Sequence, residues 1–376
     1  MGMPDPSEVS PKLEQLAALA AEAPDMVFHS IHHRIDLPLL HRAFALTRKG
    51  GAAGVDGVTA QQYAEDLDEN LADLLERFRS GLYRAPAVRR VHIPKGRGKT
   101  RPIGIPTLED KVLQRAVALL LGAVYEQDFL PCSYGFRPGR SAHQALHRLR
   151  ERLKRRGGWV VELDIERFFD TLDHKHLRSF LDQRIRDGVI RRTIGKWLKA
   201  GVLEEGSIRR TDEGTPQGGV ISPLLANVYL HEVLDRWFVE QIQPRLRGQA
   251  ELVRYADDAV MVFDREADAR RVLDVLPKRF ARFGLRLHPT KTRLVGFERP
   301  REDDDDSEGG SSGGQTFDFL GFTHYWARSR RGWWVVKRTT AKDWQRRALR
   351  AIAQWCRRHR HLPLAIQHAA LSAKLR

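Results

Sequence analysis

The stretch Arg254–Phe263, RYADDAVMVF, limits the fold more than any other part of the chain. LVRY before and AVMVF after read as short strands, and only Ala256-Asp257-Asp258 lies at their junction. So short a connection makes a tight antiparallel hairpin with two adjacent carboxylates at its tip. Aspartate is a common turn former, and by itself the pair is structural. A third acid changes that reading. Asp164 ends WVVELD, another β-rich run, and a place on a neighbouring strand would set it beside the hairpin. Three carboxylates meeting without basic partners repel one another unless divalent cations lie between them. Two Mg²⁺ ions so held, with Mn²⁺ as a substitute, are the apparatus of in-line nucleotidyl transfer.

Charge agrees with a polyanionic partner. Lys and Arg number 64 against 48 acids in 376 residues, a net charge of +16 that favours nucleic acid first and an anionic membrane surface second. No apolar run is long enough to span a bilayer, and the N-terminus lacks a secretory pattern, so a cytoplasmic, nucleoid-associated protein with no membrane role is expected. Cys132 and Cys356 stand far apart, without the spacing of a disulfide framework or a zinc site. His29, His32 and His33 have no ligand partners at metal spacing and read as a polar helix face.

Helical patterning is predicted over 11–23, 36–48, 60–80, 107–127, 141–156 and 174–200. Thr59, with Glu65 nearby, is the expected opening of the third. Residues 88–94 and 101–106 read as strands joined by the basic turn KGRGKT, and 159–165 as a buried strand. The acidic segment 302–314 has the composition of a disordered loop. From Gly321 to Arg376 there are fourteen Lys/Arg and one acid, Asp343, with Trp326, Trp333, Trp334, Trp344 and Trp355 among them. Cations for phosphates and aromatic faces for bases suit a nucleic acid track, although several of the tryptophans read equally as packing residues.

At this point the sequence resembles the bacterial group II intron-encoded, or intron-related, reverse transcriptase/maturase family. YADD at 255–258 resembles the catalytic box, DIERFFD at 164–170 the first-aspartate motif and EGTPQGGVISPLLAN at 213–227 the nucleotide-binding motif. IPKGRGKTRPIGIPTLEDKVLQ at 93–114 and CSYGFRPGRSAHQAL at 132–146 resemble the fingers blocks, and LHPTKT at 287–292 and FDFLGFTHY at 317–325 the late palm blocks. The matches stand in family order.

The resemblance implies an α+β right-hand polymerase with fingers, an antiparallel-sheet palm and a partial helical thumb. Its expected divisions are an N-terminal helical extension at 1–39, fingers at 40–157, palm at 158–325 and partial thumb at 326–376. It further implies Asp164, Asp257 and Asp258 as catalytic metal ligands, acting on an RNA template, a DNA or RNA primer and dNTPs. Lys95 and Arg101 are expected on the triphosphate, with Arg97 and Lys99 left to solvent. Gln217 is assigned to the incoming nucleotide and Ser222-Pro223 to the cap of the next helix; Gly218 and Gly219 could serve that cap alone. Phe169, five residues after Asp164, is placed under the sugar, where a ring excludes a 2′-hydroxyl, and Phe168 in the core. Lys291 matches a lysine near the triphosphate, with a plain surface lysine as the alternative. Arg346, Arg347 and Arg350 are expected to hold the duplex. Other roles in the same lineage are a maturase cofactor binding group II intron RNA, or a defence- or CRISPR-associated reverse transcriptase. No Cys/His cluster suits a zinc nuclease, so target cleavage is not expected of this chain.

Overall fold

A computed structural model describes residues 10–96, 99–155, 157–204, 207–209, 218–300 and 315–375. The chain opens with α1 (Pro11–Glu22) and α2 (Leu37–Leu46), whose first turns are capped by the side chains of Ser10 and Asp36. The helix predicted over 60–80 forms as two, α3 (Ala60–Glu65) and α4 (Leu67–Ser80), because Asp66 leaves helical backbone at φ −120 and ψ 46. Thr59 opens α3 through a capping box with Gln62 rather than with Glu65. Gly81, at φ 79, ends α4 in the left-handed conformation.

β1 (Val88–Gly96) and β2 (Lys99–Ile105) pair antiparallel from Arg89↔Ile105 to Gly96↔Lys99. The long helix α5 (Leu108–Asp128) is buried on nearly every side from Leu108 to Tyr125 and forms the axis of the main core, with α1 and α2 against it. Then come α6 (Ala142–Leu153), β3 (Gly157–Leu163) and a single turn, α7 (Phe168–Thr171). The helix predicted over 174–200 also divides, into α8 (His174–Leu181) and α9 (Gly188–Lys199). Asp187 causes the break. It is fully buried, its Oδ1 accepts from the Val189 and Ile190 amides and its Oδ2 from those of Ile31 and His32, so one carboxylate starts α9 and ties it to the N-terminal segment. His32, in a short 3₁₀ turn, adds a ring contact of 2.9 Å to the same oxygen. The polar helix face expected around it is therefore a tertiary joint.

β4 (Val202–Glu204) and β5 (Ser207–Arg209) extend the first sheet in the order β2-β1-β4-β5. α10 (Ser222–Leu230) runs into π-helical turns at His231–Asp235 and Trp237–Ile242. β6 (Ala250–Tyr255), β7 (Asp258–Phe263), α11 (Glu266–Ala281) and β8 (Arg293–Glu298) complete a second sheet, β6-β7-β3-β8, antiparallel throughout. Alternation along its strands separates two cores. Val161, Leu163, Leu252, Met261 and Phe263 join the main core with α10 and α11, while Val160, Val253, Val260, Val262 and Phe297 join a second with α6.

That second core also takes Phe317, Trp326, Trp334 and Val336 from a third sheet of β9 (Phe317–Phe319), β10 (Phe322–Arg328) and β11 (Trp334–Thr340). The division expected at 326 falls inside β10. The acidic segment 302–314 lies outside the described residues. The chain closes with α12 (Lys342–His359) and α13 (Leu364–Leu375), in which no described residue is buried. Helices combined with sheets that are antiparallel apart from the short parallel β1–β4 pairing make the protein α+β.

Candidate active site

The RYADD stretch forms the hairpin that its pattern predicts. Tyr255 pairs with Asp258, leaving Ala256 and Asp257 as a two-residue loop. Ala256 sits at φ 57, a conformation costing a non-glycine residue on the order of 1 kcal/mol. On the other side of β7, β3 pairs from Trp159↔Phe263 to Leu163↔Ala259. Asp164 is the next residue, so the register carries it to the position facing Asp258. Alternation places both on the sheet face of Val160 and Val260. Asp258 is exposed, and Asp164 and Asp257 are half-buried. Asp164, far away in sequence, thus stands with the adjacent pair Asp257-Asp258 at one end of one sheet.

They do not stand there without a basic partner, and that expectation is corrected. Lys291 Nζ donates to Asp164 Oδ2 at 2.8 Å, with the two side chains 59% and 32% exposed. The LHPTKT segment is laid along Asp164 by backbone contacts: His288 N donates to its carbonyl at 2.8 Å, and Glu166 N donates to Arg286 O at 2.8 Å. At such exposure the pair contributes about 0–1 kcal/mol, so it yields readily to a stronger cation. Three carboxylates are the hard-oxygen donors that Mg²⁺ or Mn²⁺ takes. As the side chains stand, no group of three His, Cys, Asp or Glu among the described residues is arranged as a ligand set. The donor chemistry fits a divalent ion; the bond to Lys291 is what such an ion would have to displace.

Behind the turn lies a residue that the sequence reading passed over. Arg254 shares the β6 face of Leu252, opposite the acids, and is fully buried. Its Nε and Nη2 donate to the two oxygens of Asp235 at 2.7 and 2.6 Å, its Nη1 to Asn227 Oδ1 at 3.0 Å and to the Ala256 carbonyl at 2.9 Å, and its Nη2 also to Ser133 Oγ at 2.8 Å. Burial works against the guanidinium's charge, but Asp235 outweighs it and holds the group above its usual pKa. The one signal in the sequence was a charge inside the apolar run LVRY, a position that a half-buried strand fills with a charge only when a partner waits behind it.

The remaining expected contacts are placed unevenly. Phe168 is buried, and Phe169 is half-buried, packed on the main core with its ring 5.3 Å from that of Phe168. Lys95 and Arg101 lie on β1 and β2 with side chains outside the described residues, and Gln217 lies outside them altogether. Gly218, at φ 117, passes so close to the Gly104 carbonyl that a Cβ would collide with it, which sets Gly218 itself against β2. Ser222 and Pro223 do not cap α10. They are its first two helical residues, and Ile221 at the N-cap makes no side-chain bond. Arg346, Arg347 and Arg350 are exposed on α12, with Arg347 stacked 4.9 Å over Trp344. Trp326 and Trp334 are packing residues, while Trp333 and Trp344 are 63% and 57% exposed.

Cys132 and Cys356 are free thiols, and among the described residues no helix is long and apolar enough to cross a membrane. Residues 93–324 match the family model described as reverse transcriptase (RNA-dependent DNA polymerase). Protein YkfC of Escherichia coli (strain K12) is 37% identical over 287 residues, covering 68% of this chain and 75% of that protein. Group II intron-encoded protein LtrA of Lactococcus lactis subsp. cremoris is 34% identical over 284 residues, covering 71% of this chain and 46% of LtrA. Nuclear intron maturase 4, mitochondrial, of Arabidopsis thaliana is 25% identical over 214 residues, 56% of this chain and 24% of that protein. The matched region thus spans less than half the length of the two intron proteins.

Proposed function

Because the chain belongs to the reverse transcriptase family, we propose that it extends a primer on an RNA template, with Asp164, Asp257 and Asp258 as its catalytic acids. The observation that carries this reading is the strand register that sets Asp164 opposite Asp258 at the acidic turn. These acids would hold two Mg²⁺ ions, or Mn²⁺, which when bound supply activation of the primer hydroxyl and charge stabilisation at the leaving pyrophosphate. Lys95 and Arg101, on the hairpin whose second strand Gly218 approaches, cover the triphosphate of the dNTP, and Gln217 contacts the incoming nucleotide. Phe169 lies under the sugar and excludes a 2′-hydroxyl by bulk. Lys291, released from Asp164, donates its proton to the departing pyrophosphate oxygen. In the right-hand description, 1–39 is an extension, 40–157 the fingers, 158–325 the palm and 326–376 the start of a thumb that grips the duplex through Arg346, Arg347 and Arg350.

Primer extension by purified protein on an RNA template tests this directly. Wild type should add dNTPs in Mg²⁺, and Asp164→Asn, Asp257→Asn and Asp258→Asn should each add none while binding RNA as before. Extension unchanged in all three would refute the assignment of the acids. Phe169→Ala should accept ribonucleotides that wild type rejects, and equal discrimination in both would remove Phe169 from the sugar site.

A second reading, assistance to intron splicing, is favoured by the relatives whose names join them to introns, LtrA and the mitochondrial intron maturase. It predicts that the three Asp→Asn variants still promote splicing of a group II intron RNA. Their failure to do so, with RNA binding intact, would tie any splicing role to polymerisation.

A further inference from the structure

Resting on the polymerase reading, we propose that Arg254 is a positioning residue for the acidic turn, the centre of a buried latch that sets where Asp257 and Asp258 point. The latch holds both peptide planes that flank Ala256. Arg254 Nη1 bonds the Ala256 carbonyl at 2.9 Å, which fixes the plane leading into Asp257. The preceding plane, from Tyr255 to Ala256, is backed by Gly135, where a Cβ would collide with the Ala256 nitrogen and the Tyr255 carbonyl carbon. With both planes fixed, Ala256 keeps its φ of 57, and the direction of the next residue is set by the fold rather than by its own preference.

Every other part of the latch faces the same task. Tyr134 N donates to the Arg254 carbonyl and Arg254 N to the Cys132 carbonyl, each at 2.8 Å, so the 132–135 segment is tied to β6 along its edge. Asn227 bridges the two halves: its Oδ1 accepts from Arg254, and its Nδ2 donates to the Gly135 carbonyl at 2.8 Å. Asp235 neutralises the arginine from the π-helical turn at His231–Asp235, where the widened backbone turn departs from the regular helix of α10. Arg254, Asp235 and Ser133 are each fully buried, so the latch touches neither primer nor nucleotide and acts only through the turn.

The test uses Asp235→Asn, which removes the charge that holds Arg254, and Gly135→Ala, whose added methyl pushes on the Tyr255–Ala256 peptide plane. Both should lower kcat per folded molecule by about 10²-fold, with the dNTP KM and RNA affinity within about twofold of wild type, because small misplacements of reacting groups cost rate rather than binding. Hydrogen–deuterium exchange of the Tyr255–Ala259 amides should quicken in both while that of α5 stays protected. A merely structural role would lower Tm and leave kcat per folded molecule and turn exchange as in wild type, and that result overturns the proposal. Should either variant fail to fold, Ser133→Ala, which removes one of the five Arg254 bonds, carries the same test at about fivefold in kcat; wild-type kcat and exchange in it overturn the latch. If the wild-type chain itself extends no primer, the polymerase reading falls. Turn exchange then decides the latch alone, and exchange unchanged in the variants rejects it.

Discussion

Arg254 and the arginines of α12 are the same residue in opposite settings. Arg254 makes five side-chain hydrogen bonds in a fully buried site, whereas Arg346, Arg347 and Arg350 lie on a helix with no buried residue. A buried guanidinium is useful only when every donor is satisfied, and then it fixes geometry. An exposed one contributes little to the fold and leaves its charge for phosphates. The positive charge of this chain therefore divides into a small part that shapes the acidic end of the sheet and a larger part turned outward.

The widest separation should appear in stability. Arg254→Ala leaves Asp235 buried without a cation and is expected to cost about 3–5 kcal/mol, against a change within about 0.5 kcal/mol for Arg346→Ala. Denaturant unfolding of the two variants compares them, and equal losses would end the distinction.

A buried acid without a cation sharpens the comparison. Asp110 is almost wholly enclosed at the start of α5, where its Oδ1 accepts the Tyr83 hydroxyl and, at 3.1 Å, Trp197 Nε1. Burial pushes its pKa up to about 7, against the pull of the Trp197 bond and with help from Asp56. The folded protein thus binds this proton more tightly than the unfolded chain. The stability it confers is fully present below the ordinary value of 3.8 and is lost as pH rises through about 7. Asp110→Asn keeps the acceptor and removes the titration, so the variant should lose a slope of up to about 1.4 kcal/mol per pH unit between those values. Thermal unfolding from pH 4 to 8 checks this, and a parallel pH profile in both proteins would reject it.

The smallest effect belongs to the outward arginines. Replacing Arg346, Arg347 and Arg350 together should flatten the dependence of log affinity on log salt for a template–primer duplex by about 0.7–0.9 per lost contact, leaving Tm nearly unchanged. An unaltered salt slope would show that α12 meets something other than phosphate.

Legibility in the sequence followed the same division. The hairpin, the β1–β2 pair and the strand ending at Asp164 were readable, because period-2 alternation bounded by short turns is a local signal. The break at Asp182–Asp187 was not, since it depends on Asp187, whose partners Ile31 and His32 lie far away in sequence, and the break at Asp66 is a change of backbone with no side-chain cap to announce it. Sheet β9-β10-β11 was missed because the basic and aromatic content of 321–340 drew the reading toward nucleic acid. The alternation in FTHYWAR and WVVKRTT, around a turn at Ser329–Trp333, carried the strand signal. At the site, the acids declared themselves as a motif. Arg254, its partners and the hold of Lys291 on Asp164 arise from register and tertiary pairing, which a lone charge in a strand or loop only hints at.

The latch also sets an order of assembly. Its partners Ser133 and Arg254 are 121 residues apart, with Asn227 and Asp235 between them. During synthesis α1, α2 and α5 all lie within the first 128 residues and can collapse on one another once α5 has emerged. The segment after α10 must wait. Until Arg254 leaves the ribosome, Asp235 has no cation to be buried against, and the cost of burying it alone keeps that region open. A nascent chain that has exposed α10 but not yet Arg254 would then display apolar α10 to chaperones, and closure of the sheet would be a late event gated by the arrival of one side chain.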